Sequence, residues 1–177
     1  SFSTFANGVN AKDFTITPEM IRPNGMTALK PSIARMIRNT GSNLASMSDR
    51  RPGKVIFILL SDGEQTIDKL SNYEPEDEKF QYLDATENLK DYINEHQDVY
   101  NWTFMFLGTN FDTITMGETI GIKSSHCMNY DYSSGGAHNV LHSTAQGVSR
   151  VMDGTFTGFT KAERDASSNS CKVSFDN

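Results

Sequence analysis

The sequence predicts an α/β domain: a three-layer, Rossmann-like arrangement whose mostly parallel sheet has helices on both faces. Two apolar runs, residues 55–60 and 102–107, show no alternation of apolar and polar side chains. Such runs are typical of strands that are buried on both faces, as in a parallel sheet. Segments with helical periodicity separate the runs, and this order favours helices packed on a parallel sheet.

The beginning of the chain predicts a β-hairpin at the edge of the sheet. Residues 1–7 and 13–17 both alternate apolar and polar side chains. Asn7 and Gly8 lie between them, and this dipeptide supplies the positive φ angles of a tight turn.

Four segments have the apolar spacing of amphipathic helices. The first follows the turn at residues 22–25 and has Pro31 in its first turn, where a missing N–H is tolerated. The others cover residues 82–96, a short stretch around Met116, and residues 138–152. The side chains predicted to face the core are Leu29, Ile33, Met36, Ile37, Leu44, Met47, Tyr82, Ala85, Leu89, Tyr92, Ile93, His96, Leu141, Ala145, Val148 and Met152.

The last third of the chain predicts one more strand and a domain boundary. Residues 125–132 form an expected edge strand, and the Ser-Ser-Gly-Gly segment at 133–136 is interpreted as a flexible connector. Helical periodicity ends near Asp153, and the remainder is rich in Ser and Asn. We therefore place the domain at residues 1–153 and a polar tail or appendage at residues 154–177.

Composition excludes several functional classes. With 16 Lys+Arg against 22 Asp+Glu the net charge is −6, which argues against binding nucleic acid or anionic membranes. No apolar run approaches the ~18 residues of a membrane span. Cys127 and Cys171 are too few for a disulfide framework, and free thiols are favoured over one bridge. This favours a cytoplasmic or virion-associated protein over a secreted one.

Two residues are candidates for binding a divalent cation. Asp62 follows the run 55–60 directly and precedes Gly63, so it presents a carboxylate where ligands bind in open α/β sheets. Thr27 lies at the expected N-terminus of the first helix and offers a hydroxyl oxygen. Mg²⁺ prefers such oxygen ligands. The alternatives are that Asp62 is a turn residue and that Thr27 is a plain N-cap.

Three segments in register resemble von Willebrand factor A domains. Residues 55–64, Val-Ile-Phe-Ile-Leu-Leu-Ser-Asp-Gly-Glu, are similar to the hydrophobic strand and T/S-D-G motif of that family. Residues 24–29, Asn-Gly-Met-Thr-Ala-Leu, are similar to its G-G-T-A-L motif, with Met26 replacing the second Gly. Residues 102–112 and 120–122 resemble the later strand and helix of a bacterial and phage subgroup. The resemblance covers residues 1–152.

The resemblance implies a non-enzymatic module that binds a protein partner. Family members carry a metal-ion-dependent adhesion site, of which the second and third motifs correspond to Thr27 and Asp62. The implied ion is Mg²⁺, with Mn²⁺ or Ca²⁺ as alternatives, and an acidic side chain of the partner would complete its coordination. The first motif, D-x-S-x-S, is absent, because Asp165-Ala166-Ser167 lies at the wrong end of the chain and follows no hydrophobic strand.

The absent motif belongs to a central strand of the family's sheet, between the strand containing Phe5 and the run 55–60. Without that strand, two ladder edges and a strand-wide void would lie inside the domain. We therefore expect about 30 further residues upstream, the length of a strand and a crossover helix, or a strand supplied by another chain.

Two other functions stay open at this point. One is a structural or assembly protein, for instance a virion component, that uses the fold without bound metal. The other is a metal-assisted enzyme that acts on phosphate groups, for which the rim offers Asp62, Glu64 and Asp112. His126, His138 and His142 are interpreted as surface or packing residues rather than zinc ligands, because no Glu completes an H-E-x-x-H pattern. No activated nucleophile can be identified.

Overall fold

A computed structural model describes residues 8–17, 19–20, 29–49, 51–62, 86–109 and 112–168 of the chain. In this part of the chain three strands form one parallel sheet, in the order β1-β2-β3. The strands are β1 (Ile56–Ser61), β2 (Thr103–Gly108) and β3 (Cys127–Asn129). The predicted α/β class with a parallel sheet is confirmed, and β3 lies at an edge of this sheet as expected.

Five helices accompany the sheet in the described ranges. They are α1 (Leu29–Ser46), α2 (Thr86–Asp98), α3 (Thr113–Thr119), α4 (Ser134–Asp153) and α5 (Lys161–Ser168). Two short 3-10 turns add Ala11–Asp13 and Ser124–His126. None of these helices has both the length and the apolar character required to cross a bilayer.

Two apolar layers lie on opposite faces of the sheet. On one face, Phe57, Phe104 and Phe106 pack with side chains of α1 and α2 and of the segment after α3. On the other, Met105 and Leu107 pack with Val140 and Val151 of α4 and with Phe159. Strand β2 contributes to both layers because consecutive side chains of a strand point to opposite faces, and every residue from Phe104 to Gly108 is buried. The prediction of burial on both faces is confirmed for β2.

The same prediction is wrong for β1. Phe57 and Leu59 are buried, but Ile58 is 45% exposed and Leu60 is 58% exposed. Ile58 and Leu60 are in register with Met105 and Leu107 of β2, so they lie on the face that carries α4. Helix α4 covers β2 and leaves this part of β1 open. The prediction failed because a run of apolar residues does not show which helix lies above it.

The core-facing sides of α1 and α2 agree with the sequence, with one exception. Ile33 and Ile37 of α1 and Leu89 and Ile93 of α2 are fully or almost fully buried. Met47 comes after the last residue of α1 and is 42% exposed, so its predicted place in the core is wrong. Tyr82 and Ala85 lie outside the described residues.

The buried face of α4 is not the face that its apolar residues predict. Leu141 is 59% exposed and Met152 is 61% exposed, whereas Val140 and Val151, one position earlier in each case, are buried. Small residues decide the orientation. A Cβ on Gly147 would lie 3.2 Å from Cε of Met105, so the bare helix backbone packs directly on β2. The prediction that Leu141, Ala145 and Met152 face inward is therefore wrong, since all three are exposed.

The segment at residues 133–136 begins α4 rather than forming a flexible connector. The hydroxyl of Ser133 accepts a hydrogen bond from the amide of Gly136 at 2.9 Å, which is a regular N-cap. Ser133 is itself held by Asp131, whose carboxylate accepts from the Ser133 amide at 2.9 Å. At the other end Gly154 ends the helix with φ = +75°, a left-handed conformation that glycine adopts without strain.

No strand is found at the described end of the predicted hairpin. Asn10 accepts a hydrogen bond from the amide of Lys12 at 3.2 Å and begins the 3-10 turn Ala11–Asp13. This local bond competes with strand pairing, and residues 14–17 are not part of a strand. Residues 1–7 lie outside the described ranges, and so does the expected pairing of the Phe5 strand.

Helix α5 belongs to the region that the sequence analysis assigns to a tail or appendage. It packs beside α4, where Arg150 makes two hydrogen bonds of 2.9 and 3.1 Å with Glu163. It also contacts β3, because the Ser167 hydroxyl lies 3.5 Å from the sulfur of Met128. Phe159 and Ser167 are buried. Residues 154–168 thus extend the layer that contains α4 past the β3 edge.

The orientation of α4 can be tested with adjacent substitutions. We expect Val140→Ala to lower the free energy of unfolding by about 2 kcal/mol, because it leaves a cavity above β2. Leu141→Ala removes a larger but exposed side chain and should change stability by less than about 0.5 kcal/mol. Urea unfolding of the two variants measures this, and a larger loss for Leu141→Ala would contradict the orientation.

The Glu163 carboxylate should make stability depend on acid pH. Burial by itself raises the pKa of Glu163, but hydrogen bonds from Arg150 and Thr160 outweigh it and hold the pKa below the ordinary value of 4.5. A depressed pKa stabilises the fold at neutral pH, and this contribution is lost as the pH falls through the folded-state value. We expect Glu163→Gln to cost about 2 kcal/mol at pH 7, with the difference from wild type shrinking below about pH 4.

The matched control for this prediction is Asp165→Asn, on the same helix. Asp165 pairs with Lys161 in an exposed i,i+4 contact, which contributes well under about 1 kcal/mol. Equal effects of the two substitutions at pH 7 would show that the Arg150–Glu163 pair does not anchor α5.

Candidate functional site

The carboxyl ends of the three strands lie at one edge of the sheet, and Asp62 is placed there as predicted. Asp62 follows β1 and is exposed, and Tyr130 follows β3 at the same edge. Burial chiefly raises the pKa of the Tyr130 hydroxyl, and the negative charge of Asp62 raises it further. Asp62 therefore lies close enough to act electrostatically across the edge of the sheet. Thr27 and Glu64 lie outside the described residues.

The carboxylate of Asp112, a third candidate at this edge, is used to cap α3. One oxygen accepts from the amides of Ile114 and Thr115 at 3.1 and 3.0 Å, and the other accepts from the Thr115 hydroxyl at 2.6 Å. The hydrogen bond from this hydroxyl is the main reason why the pKa of Asp112 is lowered. Asp112 is thus a structural N-cap, which is the ordinary role of Asp at this position.

Among the described residues, no three His, Cys, Asp or Glu side chains converge on a point that could hold a metal ion. Of the predicted ligands Thr27 and Asp62, only Asp62 therefore lies among the described residues, at the expected edge. A single exposed carboxylate does not meet the coordination needs of Mg²⁺, which requires several oxygens in octahedral array. The metal site stays a prediction.

The histidines make packing and surface contacts in the described structure. Nδ1 of His126 lies 3.1 Å from the carbonyl oxygen of Phe104, and its ring packs against Phe156. Burial lowers the pKa of His126, so the ring is neutral at pH 7. His138 and His142 stack on the exposed surface of α4 with ring centroids 6.4 Å apart.

Cys127 is a free thiol that is fully buried in β3. Burial raises the pKa of this thiol to about 12. Nucleophilic chemistry needs the thiolate, which is nearly absent at pH 7 with such a pKa. Cys127 is therefore a packing residue. Cys171 lies outside the described ranges.

An exposed apolar surface lies next to the carboxyl edge, and the sequence analysis missed it. We call it the apolar corner. Its floor is the open face of β1, with Ile58 and Leu60, and its wall is one side of α4, with Leu141 and Met152. The four side chains are between 45% and 61% exposed.

The contacts of α5 show why the wall faces the floor. Asn139 and Arg150 of α4 bond to α5, at Ala166 and Glu163, and α5 lies beside β3. Leu141, Ala145, Val148 and Met152 follow one another at intervals of three or four residues, so they share one side of the helix. That side is turned away from α5 and hence toward β1. Helical periodicity reveals this apolar stripe, but it cannot tell an exposed stripe from a buried one.

Comparisons with family models, with curated proteins and with solved structures return no match for this chain. The resemblance to von Willebrand factor A domains therefore rests on the motifs alone and stays a prediction. The α/β class and the parallel sheet are shown by the structure itself.

Proposed function

We propose that this domain is a non-enzymatic module that binds a protein partner, and that the apolar corner is where the partner docks. The observation that carries the proposal is the exposure of four large apolar side chains, two on the open face of β1 and two on the side of α4 that is turned toward β1. They expose on the order of 400 Å² of apolar surface, as much as the largest patch of a typical monomer, and such patches are often functional.

The shape of the corner favours a single amphipathic helix as its occupant. Leu141 and Met152 are separated by three turns of α4, about 16 Å at the helical rise. The floor is a six-residue strand of comparable length. Helices pack beside one another at interaxial distances of about 8–10 Å, so one helix lying along α4 would rest on β1. A groove of this kind binds partner helices through apolar residues at i, i+3, i+4 and i+7.

The charges of the corner favour an uncharged docking face on the partner. Helix α4 carries two charged residues in its 20, Arg150 and Asp153. Arg150 is turned to Glu163 on the opposite side of the helix, and Asp153 is the last residue of the helix. An uncharged centre is typical of the buried core of a protein interface, and it is unsuited to a phosphate backbone or an acidic peptide.

The size of the corner argues against a second copy of this chain as the occupant. Stable interfaces bury about 800 Å² on each partner, roughly twice what the corner offers. A helix of three to four turns would need no more surface than the corner provides.

The divalent ion that the resemblance implies is a separate part of the proposal. Leu60 of the corner and Asp62 are two residues apart, so a helix that lies on β1 would end beside the carboxyl edge. An acidic residue at that end of the partner would then be in place to share an ion with Asp62 and, as the resemblance implies, with Thr27. The alternative function, an assembly protein with the same fold and no metal, differs from the proposal in this part alone.

Docking can be tested by selecting binders from a library of helical peptides displayed on phage. We expect selected peptides to carry apolar residues at i, i+4 and i+7, and to lose at least about tenfold in affinity for the double variant Leu141→Asp/Met152→Asp, whose charges would be buried without partners. The matched control is Gln146→Asp/Ser149→Asp, which adds the same charges at exposed positions of the same helix.

Three outcomes would overturn the docking proposal. They are peptides that bind wild type and Leu141→Asp/Met152→Asp equally, selected peptides without the helical spacing, and sedimentation that shows a dimer which the double variant abolishes. The last outcome would identify a second copy as the occupant.

The metal is tested by thermal unfolding of the full-length protein in up to 10 mM Mg²⁺ or Mn²⁺. An ion at ten times its dissociation constant stabilises the fold by about 1.4 kcal/mol. We expect this gain in wild type and in the control Asp98→Asn, and its loss in Asp62→Asn. No gain in wild type, or an equal gain in all three proteins, would remove the metal and leave the assembly function.

A further inference from the structure

A cavity of about 550 Å³ lies at the opposite end of the sheet from Asp62, between the C-terminal part of α1, the C-terminal part of α2 and residues 51–55. This volume is within the range of small-molecule sites, which is about 300–1,000 Å³. Nothing in the proposed docking function uses the cavity. Its walls differ in chemistry, with aromatic rings on one side and cations on the other.

The aromatic wall is a cluster built around His96. The ring of His96 makes T-shaped contacts with Tyr92 and Trp102, with centroids 4.4 and 4.5 Å away, and Tyr100 leans against it at 5.2 Å. Nδ1 of His96 lies 2.7 Å from the Tyr92 carbonyl oxygen, which fixes the ring. His96 and Trp102 are buried, so the ring that the cluster presents to a ligand is the exposed Tyr100.

A sharp turn of the chain after α2 positions the side chains of the aromatic wall. Asn101 has a φ of +55°, the left-handed conformation that Asn tolerates better than most residues. The sharp turn leaves Tyr100 56% exposed at the mouth of the cavity and buries Trp102 to 8%. The inner side of Trp102 stacks on Phe57 at 5.4 Å, so the indole is fixed as well.

The other wall carries three cations, Arg38, Arg51 and Lys54, against the single carboxylate of Glu95. This excess of positive charge occurs in a chain whose net charge is −6. Two helix C-termini nearby each contribute roughly half a negative charge. Arg51 offsets the first, since its guanidinium donates to the carbonyls of Met47 and Ala45 at 3.1 and 3.4 Å. Among the residues that line the cavity, cations thus outnumber carboxylates.

Tyr92 provides a neutral polar group between the two walls. Burial raises the pKa of its hydroxyl, so Tyr92 stays protonated at neutral pH. The negative charge of Glu95 raises this pKa further and the positive charge of Arg38 lowers it, so both charged side chains lie within electrostatic reach of the aromatic wall.

We infer that this cavity is a binding site for a small planar aromatic anion, up to the size of a mononucleotide. The ring stacks on the exposed ring of Tyr100, which leans on the buried His96, and the anionic group lies at Lys54 and Arg38. Both interactions are needed, because stacking alone or one exposed ion pair contributes about 1 kcal/mol or less in water. A cationic ring would suit the aromatic rings, but the three cations of the opposite wall repel it.

The single tryptophan of the chain makes the inference directly testable, because all tryptophan emission comes from Trp102. The probe is adenosine 5′-monophosphate, titrated with excitation at the red edge of the tryptophan band. We expect saturable quenching with a dissociation constant below about 1 mM, and binding of neutral adenosine at least about tenfold weaker. Inorganic phosphate alone should not quench.

Three substitutions separate the contributions of the positive charge and of the aromatic ring to binding of the probe. Lys54→Gln and Tyr100→Ala alter exposed side chains of the cavity mouth, so both proteins should fold. Each substitution should lower the affinity for the probe about fivefold to tenfold. Lys161→Gln removes a cation that is 87% exposed on α5, on the other face of the sheet, and should leave binding unchanged. Circular dichroism checks the fold of each variant.

The inference is overturned by any of three results. One is no saturation up to 10 mM probe. Another is equal affinity for adenosine and its monophosphate, which would show that the cavity binds aromatic rings without selecting for a negative charge. The third is tighter binding of N-methylnicotinamide, a planar cation, which would assign the cavity to cations. None of these results bears on the apolar corner, so the inference and the docking proposal stand or fall separately.

Discussion

The double burial of β2 is the constraint on which the rest of the structure depends. Phe104 and Phe106 project into the layer with α1 and α2, and Met105 and Leu107 project into the layer with α4. A strand buried on both faces must satisfy its backbone polar groups within the sheet. β2 does so by pairing in parallel with β1 on one side and β3 on the other. The parallel pairing in turn brings all strand ends of one kind to one edge.

Both surfaces that we propose for binding follow from this arrangement. Helix α4 lies close above β2 because Gly147 lets its backbone approach Met105, and it leaves Ile58 and Leu60 of β1 exposed. The apolar corner is the uncovered remainder. The cavity forms at the other end of the sheet, where α1 and α2 end and the chain turns sharply at Asn101 before entering β2. A partner would thus lie along the face of the sheet that carries α4, and a small ligand would bind at the amino end of the face that carries α1 and α2.

The sequence was sufficient for the class of fold and insufficient for the outward-facing details. The unbroken apolar run in β2 predicts burial on both faces because nearly every side chain needs shielding from water. The same pattern in β1 fails at Ile58 and Leu60, since their burial depends on the position of a helix that is distant in sequence. In α4, one stripe contains Leu141 and Met152 and the neighbouring stripe contains Val140 and Gly147. Apolar content favours the first, but close packing on the sheet selects the second.

The candidate sites show the same division. Asp62 could be placed at the carboxyl edge from the sequence, because the end of an apolar strand is a local signal. The cavity could not, because Arg38, Lys54 and Tyr100 come from three separate segments and none belongs to a recognisable motif. Only the packing of α1 against α2 brings them together. Cys127 was expected to be a free thiol from composition, and it is one.

The exposure of Ile58 and Leu60 also has a consequence for solubility. Residues 55–60 are six consecutive apolar residues, mostly β-branched or aromatic, with no charge and no proline. Segments of this composition readily stack into intermolecular cross-β structure when they are accessible. Lys54 and Asp62 flank the strand as charged gatekeepers that disfavour such stacking. Substitutions that remove either charge would therefore be expected to lower the protein concentration at which aggregation begins, independently of any effect on binding.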